Sequence, residues 1–337
     1  MKALTLKSPG SLKNISLSDI TDPGAPGPGQ IRVAIGASSL NFHDLLVANG
    51  SIPSEDGRIL MSDGGGTVDA VGEGVTDFKV GDSVVSCFFP QWPAGSAGAS
   101  VGTFANTPGD GIDGMAAEFV VRSQNAFTLA PKGWTHAESA TITTAGLTAW
   151  RALVVDGKVK PGDTILTLGT GGVSIAVIQI ANMLGAKVIV TSSSDEKLER
   201  AKKLGAFQGI NYRTHTQWSK KVMELTEGKG VDHIIELGGP GTLEQSIQAV
   251  RVGGHISLIG VLTGRSGEVP TALLMAKQAR LQGLVVGSRR DQQDYVVALE
   301  ANQVHPVIDK TFAMSELAAA FDYQTSGSHF GKICVEW

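Results

Sequence analysis

The sequence predicts an α/β protein that combines a β-rich domain with a domain built on a doubly wound parallel sheet. Its 337 residues suit two domains, at about 100–200 residues for each. Short β-like runs punctuated by Gly and Pro occupy residues 1–123, whereas strands and helices alternate from about residue 134. We therefore predict domains of 1–123 with 291–337 and of 124–290, because the tail is too short to stand alone.

Composition narrows the class of protein. Apolar residues make up 42% of the chain, and the net charge is −4 without a dense Lys/Arg block, so neither disorder nor nucleic-acid binding is expected. The chain has two cysteines, no charged-then-apolar leader and no apolar run of the roughly 18 residues that a membrane span needs. We therefore expect a cytoplasmic protein without disulfides or membrane contact.

The parallel sheet is predicted from short apolar runs separated by segments with helical spacing. Strands that are buried on both faces are typically continuous in apolar residues, as these runs are. The predicted strands are 163–169, 186–192, 231–237, 253–260 and 281–287.

A phosphate-binding turn is predicted where the first of these strands meets its helix. Gly169 permits a sharp strand-to-helix turn, and the bare backbone at Gly171 lets N–H groups approach a pyrophosphate at the helix N-terminus. Ser174 takes the third glycine position and is small enough for close packing of helix on strand. The alternative is an ordinary βα turn. The turn residues are Gly169, Thr170, Gly171, Gly172 and Val173.

The end of the second strand favours NADPH over NADH. An NAD site usually has an acidic residue there for the ribose hydroxyls, whereas this chain has Ser192 and Ser193. Hydroxyl groups can donate to a 2′-phosphate that an acid would repel. Lys197 could add positive charge, or be a solvated helix lysine, and Tyr212 could close over the adenosine.

Nearly the whole chain is covered, in order, by the segments "LNFHDLLVANG", "SDGGGTVDAVGEGVTDFKVGDSVV", "TAGLTAWRAL", "GTGGVS", "VDHIIELGG" and "GSHFGKI". In these segments the chain resembles the medium-chain dehydrogenase/reductase superfamily. The resemblance implies a GroES-like, β-rich catalytic domain and a Rossmann domain, with a nicotinamide cofactor in the cleft between them.

The resemblance also locates the residues that hold catalytic zinc in alcohol dehydrogenases. Those positions carry Asn41, Ser62 and Thr144 here. A zinc site needs about four N, S or O donors, and an amide with two hydroxyls would bind the ion weakly. The structural zinc lobe uses four cysteines, whereas residues 87–114 contain only Cys87. We therefore predict no zinc, and disfavour a zinc alcohol dehydrogenase with substituted ligands.

What remains is similar to the zinc-independent, quinone oxidoreductase-like branch. That resemblance implies hydride transfer from NADPH to a small electrophilic substrate: a quinone, an activated alkene or a reactive carbonyl. The alternative from another class is a protein that binds NADPH in a structural or sensing role without turnover. A homodimer is also expected by resemblance, through an edge strand near "LQGLVVG".

Three residues are catalytic candidates. Asn41 and His43 could stabilise negative charge on the substrate, and His43 could donate a proton. Asn41 could instead cap a helix that has Asp44 at its third position. His43 could be merely packed or exposed, and Thr144 could face the nicotinamide or simply pack.

Aromatic residues supply the substrate candidates. Phe42 lies in the Asn41-Phe42-x-Asp44 pattern, which is similar to the substrate loop of the zinc-free relatives. Phe88, Phe89 and Trp92 precede a long small-residue loop and could line an apolar pocket or pack in the core.

Further cofactor contacts are expected beyond the carboxyl ends of later strands. Val261 and Val286 would hold the carboxamide through backbone groups, together with Ser288. Lys332 would reach a phosphate, or else be a loop lysine.

Overall fold

The structure, a computed structural model, describes residues 1–337 apart from the side chain of Ser100. Its contacts divide the chain into two compact units, Met1–Leu147 with Val286–Trp337, and Thr148–Val285. The predicted domain borders at 123 and 290 lie elsewhere and stay a prediction.

Sixteen strands are numbered in chain order within the described residues. They are β1 (Lys2–Leu6), β2 (Ile15–Asp19), β3 (Gln30–Ser39), β4 (Arg58–Ile59), β5 (Gly65–Val71), β6 (Ser83–Ser86), β7 (Phe119–Ser123), β8 (Phe127–Leu129), β9 (Thr164–Leu168), β10 (Lys187–Ser192), β11 (Gln208–Asn211), β12 (Val231–Glu236), β13 (Val250–Leu258), β14 (Arg280–Gly283), β15 (Ile308–Ala313) and β16 (Lys332–Glu336).

The α-helices are numbered in the same way, and π-helical segments cover Ile142–Gly146 and Arg151–Asp156. The α-helices are α1 (Phe42–Ala48), α2 (His136–Ala140), α3 (Leu147–Trp150), α4 (Gly172–Met183), α5 (Asp195–Lys203), α6 (Trp218–Leu225), α7 (Pro240–Ala249), α8 (Thr271–Ala276), α9 (Arg289–Asn302) and α10 (Leu317–Thr325). Within the described part of the chain, none of them is long and apolar enough to cross a membrane.

The first unit is β-rich. A seven-stranded sheet has the order β15-β16-β3-β5-β6-β8, with β7 paired to β3, and a smaller sheet has the order β2-β1-β4. The C-terminal strand β16 pairs antiparallel with β3, with Cys334 opposite Ser39. This pairing places the start of β16 beside the end of β3, where the chain enters α1.

The second unit is a six-stranded sheet in the order β11-β10-β9-β12-β13-β14, and all of its pairings are parallel. The chain runs outward from β9 to β11, then resumes at β12 on the other side of β9. Ligands bind beyond the carboxyl ends of strands at such a reversal. The predicted phosphate turn follows β9 and therefore lies at the reversal.

Candidate active site

The turn after β9 has the backbone geometry of a phosphate-binding turn. Gly169 has φ 79°, in the left-handed region, and its N–H donates to the Thr191 carbonyl at 2.9 Å. Gly171 is the N-cap of α4, with no side chain at the helix entrance. Thr170, Gly172 and Val173 complete the turn and the first positions of α4. The geometry leaves backbone N–H groups and the positive end of a twelve-residue helix for an anion.

Ser174 accounts for the departure from a third glycine. Its side chain is fully buried, and its Oγ donates to the Leu168 carbonyl at 2.8 Å while accepting from Thr167 Oγ1 at 3.0 Å. Both partners are on β9. The hydroxyl therefore binds the helix to its strand, and the close packing that a small residue predicts is present.

The predicted adenosine-side residues lie together at the carboxyl edge of the sheet. Ser192 ends β10, and its carbonyl accepts from Tyr212 N–H at 3.0 Å. Tyr212 is 43% exposed, so its ring is accessible. Ser193 follows Ser192, and Ser194 caps α5 by accepting from Lys197 N–H. The carboxylate of Asp195, the first acid after the strand, accepts from Asn211 Nδ2 at 2.8 Å.

The structure differs from the expectation for Ser288 and Val286. β14 ends at Gly283, so neither residue ends a sheet strand. The Ser288 hydroxyl instead caps α9, donating to Asp291 Oδ2 at 2.8 Å and accepting from the Asp291 N–H. Val286 is buried with φ 48°. Val261 lies just past β13 and is 40% exposed, which leaves it free to meet a ligand.

A buried ammonium group lies near the positions that hold catalytic zinc in alcohol dehydrogenases. Lys332 begins β16 and is only 5% exposed. Its Nζ donates to the Leu40 carbonyl at 2.6 Å and to Asn41 Oδ1 at 2.7 Å, and lies 3.6 Å from Asp63 Oδ2. These contacts correct the expectation that Lys332 reaches a phosphate, because its charge is buried and already paired.

Asp63 is the anion of this cluster. Its carboxylate is fully buried and accepts from Ser39 Oγ and Thr144 Oγ1, each at 2.6 Å. Burial raises the pKa of the Asp63 carboxyl, and the nearby Lys332 ammonium opposes that rise. Lys332 and Asp63 therefore form a buried ion pair whose polar atoms are hydrogen-bonded, and the buried Asp44 carboxylate is a second negative charge nearby.

Asn41 does not offer free donors. It is the N-cap of α1 by backbone conformation, and Asp44 Oδ2 accepts from its backbone N–H at 3.0 Å. Its Nδ2, however, donates to the same Asp44 oxygen at 3.0 Å and to the Ser39 carbonyl at 3.3 Å. Because Oδ1 is taken by Lys332, the amide holds the loop together, and the expectation that it would donate to a substrate loses its support.

Thr144 lies in the first π-helical segment and is partly exposed. Its hydroxyl donates its proton to Asp63, so the Thr144 oxygen can still accept a hydrogen bond but cannot donate another. Of the three catalytic candidates, Asn41 and Thr144 are joined through Lys332 and Asp63, whereas His43 faces a different set of residues.

His43 packs among aromatic rings. It stacks on Phe104, with ring centroids 5.3 Å apart, and meets the edge of Phe88 at 5.5 Å. Phe88, Phe89 and Trp92 are each at most 5% exposed, so they pack in the core and do not present an open apolar surface. Phe42, the fourth substrate candidate, is 41% exposed.

The donor set at the zinc-ligand positions does not fit zinc. The Asn41 oxygen already accepts from an ammonium group, and Thr144 is a hydroxyl without thiol or imidazole chemistry. Burial raises the pKa of both cysteine thiols, Cys87 and Cys334, to about 12, so neither is a ready thiolate. Among the residues with described side chains, no group of three or more His, Cys, Asp or Glu is arranged to hold a metal.

Sequence reasoning missed two residues of the His43 environment. Phe104 and Asp110 both lie in the long loop, whose small residues carry no readable motif. Gly109 and Gly111 on either side of Asp110 were the available signal, since paired glycines often mark a close backbone approach.

Comparison with known proteins gives the family. The alcohol dehydrogenase GroES-like domain family matches residues 27–132, and the zinc-binding dehydrogenase family matches residues 172–301. A zinc-type alcohol dehydrogenase-like protein of Schizosaccharomyces pombe is 39% identical over 323 residues, covering 93% of this chain and 92% of that protein.

Two solved structures extend the comparison. A NAD-dependent alcohol dehydrogenase is 33% identical, with a TM-score of 0.90 and complete coverage of both chains. A quinone oxidoreductase of Pseudomonas syringae pv. tomato DC3000 is 28% identical, with a TM-score of 0.83 and coverage of 100% and 99%. The chain belongs to the medium-chain dehydrogenase/reductase superfamily, and it is an oxidoreductase with a GroES-like domain and a Rossmann-like domain.

Proposed function

We propose that this protein is a zinc-independent, NADPH-dependent reductase of a small electrophile: a quinone, an activated alkene or a reactive carbonyl. One observation carries the proposal. The Lys332 ammonium binds Asn41 and lies beside Asp63, so a fixed organic cation and its counter-ion occupy the surroundings that a metal would need. The same contacts explain how the segment around Asn41 can stay ordered without a metal.

The nucleotide would be held by the turn after β9. Backbone N–H groups around Gly171 and the N-terminus of α4 would bind the pyrophosphate. Ser192 and Ser193 would donate to the 2′-phosphate, with Lys197 in the first turn of α5 adding positive charge, and Tyr212 would cover the adenine. The exposed Val261 would contact the nicotinamide end.

When bound, the reduced nicotinamide would supply the hydride, which is chemistry that the cofactor carries by itself. The chain would orient the electrophile and supply the proton that completes the two-electron reduction. Thr144 offers an oxygen whose own proton is committed to Asp63. Of the three catalytic candidates, His43 is the one whose side chain can transfer a proton.

The preference for NADPH is part of the proposal. A NAD-dependent alcohol dehydrogenase is among the relatives, so family membership alone leaves both nucleotides open. The argument for NADPH is the local chemistry, because β10 ends in serine and the nearest following acid, Asp195, is engaged by Asn211.

An oxidation screen tests this function. Purified protein would be mixed with NADPH or NADH and a panel of quinones, enals, ketones and aldehydes, and absorbance of the reduced nicotinamide followed. We expect turnover with at least one electrophile and a clear preference for NADPH. Binding of NADPH without oxidation on the whole panel would instead support the structural or sensing role.

We also propose a homodimer that forms through β14, the edge strand of the six-stranded sheet. An unpaired edge favours pairing with another strand. Sedimentation of the wild type and of Leu281→Pro, which places a proline in β14, tests this proposal at micromolar concentration. We expect a dimer for the wild type and a monomer for the variant.

A further inference from the structure

The geometry points to Asp110 as a positioning residue that fixes the orientation and tautomer of His43, making this imidazole the proton donor of the reduction. The inference rests on the proposed function for the chemistry of the proton. Its structural part, the His43–Asp110 pair, can be tested without turnover.

The pair joins two segments that are far apart in sequence. His43 Nε2 lies 3.1 Å from Asp110 Oδ2, across 67 residues. The His43 side chain is 19% exposed and that of Asp110 is 13% exposed, so the contact is largely shielded from water but is not sealed. A carboxylate accepts and does not donate, so the pair holds the proton of a neutral His43 on Nε2.

The fixed tautomer leaves Nδ1 as the nitrogen for a substrate. No hydrogen-bond partner for Nδ1 is found among the side chains that the structure describes. When His43 is protonated, Nδ1 carries the proton that can be given away, and the carboxylate on the opposite nitrogen stabilises the imidazolium. Asp44, the neighbouring acid on α1, is turned away and accepts from the backbone N–H groups of Asn41 and Ser62.

Aromatic contacts fix the plane of the ring. Phe104 lies nearly parallel to His43, at an interplanar angle of 18°, and Phe88 meets it at 76°. With one face and one edge packed and Nε2 bound, the imidazole has little freedom to rotate. Such restraint is what a proton donor needs, because transfer depends on a short distance and a defined direction.

Glycine allows the loop to bring Asp110 to this place. Gly109 has φ 80°, and a Cβ there would lie 2.8 Å from the Met61 backbone nitrogen. A Cβ on Gly111 would lie 2.3 Å from the Ala105 carbonyl carbon. The backbone on both sides of Asp110 is therefore packed too closely for a side chain, and this fixes where the carboxylate begins.

The chemical balance is simple. The hydride adds to the electrophilic carbon, and the proton from His43 Nδ1 goes to the oxygen or carbon that takes up the negative charge. His43 is left neutral with its proton on Nε2 and is reprotonated from water. Asp110 exchanges no proton in this scheme, which is why we describe it as a positioning residue.

The test combines a spectroscopic readout with kinetics on Asp110→Asn and His43→Ala. The matched control is Asp113→Asn, which removes the same charge from the same loop at an acid that pairs with Arg58. Nitrogen-15 NMR of the histidine rings reports the tautomer in the full chain without any substrate. We expect the Nε2–H tautomer for His43 in the wild type and in Asp113→Asn, and a mixture in Asp110→Asn.

In turnover, we expect kcat to fall about 100-fold for His43→Ala and by a smaller factor for Asp110→Asn, with KM for the electrophile and NADPH affinity little changed. Added imidazole should restore part of the kcat of His43→Ala. An Nδ1–H tautomer in the wild type, identical spectra for Asp110→Asn and wild type, or unchanged kcat in both variants would overturn the inference. A wild type that oxidises no NADPH would sink the proposed function instead, while the spectra would still decide on the pair.

Discussion

Lys332 Nζ donates a 2.7 Å hydrogen bond to Asn41 Oδ1, joining the first residue of the C-terminal strand β16 to the N-cap of helix α1. The two residues are 291 positions apart. This bond and the nearby Asp63 carboxylate hold the segment around Asn41 in place, so residues from both ends of the chain contribute to its structure. The loop that carries His43, the proposed proton donor, is therefore tied to the last strand of the chain.

Replacing Lys332 by Met should be strongly destabilising. Asp63 would lose its buried counter-ion, and breaking a buried pair costs about 3–5 kcal/mol. Urea unfolding of Lys332→Met measures the loss of free energy. The exposed Lys7, which follows β1, provides the control, because Lys7→Met should change stability by no more than about 0.5 kcal/mol.

The double variant Lys332→Met with Asp63→Asn separates charge from shape. If the cost of the single change is an unpaired carboxylate, neutralising Asp63 should recover much of the lost stability. A double variant as unstable as Lys332→Met alone would show that the charge pair is not the cause.

Gly169→Ala should weaken NADPH binding beyond its effect on stability. Alanine at φ 79° costs about 1–2 kcal/mol, and the altered turn would misdirect its N–H groups. Gly162→Ala is a matched control at the other end of β9, since Gly162 has φ 88° and open space where a Cβ would lie, as Gly169 has. Fluorescence titration with NADPH should show a loss of affinity for Gly169→Ala alone, and equal losses would refute the assignment of the turn.

Ser192→Asp should change the nucleotide preference. A carboxylate at the end of β10 would repel a 2′-phosphate and accept from the ribose hydroxyls of NADH. We expect the NADPH-to-NADH ratio of kcat/KM to fall at least about tenfold, corresponding to about 1.4 kcal/mol. Ser192→Ala, which removes the hydroxyl without adding charge, should lower this ratio less. An unchanged ratio in Ser192→Asp would place the 2′-phosphate elsewhere.

Stability should decline as pH falls from about 6.5 towards 4 because of His255 in β13. Burial, followed by the Arg280 guanidinium and His233, lowers the pKa of His255 from 6.5 to about 4. Between pH 6.5 and pH 4, His255 is therefore protonated in the unfolded chain but neutral in the folded chain. The stability that the neutral His255 contributes is complete above pH 6.5 and is lost as the pH falls towards 4.

Urea midpoints at pH 7 and pH 5 measure this loss. His255→Gln should be less stable than the wild type at pH 7 but should lose less between the two pH values. The exposed His215 offers a control, and His215→Gln should keep the wild-type dependence. A His255→Gln variant that also keeps it would exclude His255 as the cause.

The fold was largely predictable because it depends on local patterns. The alternation of apolar strands and helices, with the turn at Gly169, predicts the parallel sheet and its cofactor edge. Ser288 caps α9 instead of ending a strand, because β14 ends earlier than its apolar content indicates. Since the apolar run continues to residue 286, the strand was predicted too long.

The polar cluster could not be predicted for a different reason. Lys332 meets Asn41 only because β16 pairs with β3, and no local pattern reports that pairing. A lysine in a glycine-rich segment resembles a solvated residue or a phosphate ligand, and its burial follows from tertiary structure alone. The pairing of His43 with Asp110 likewise depends on the course of a loop without regular spacing.

The most direct test of zinc-independent, NADPH-dependent reduction is metal content and NADPH oxidation measured on the same sample, before and after chelation. We predict far less than one zinc per chain and an NADPH oxidation rate that chelation leaves unchanged. Stoichiometric zinc whose removal abolishes turnover, and whose return restores it, would contradict the account.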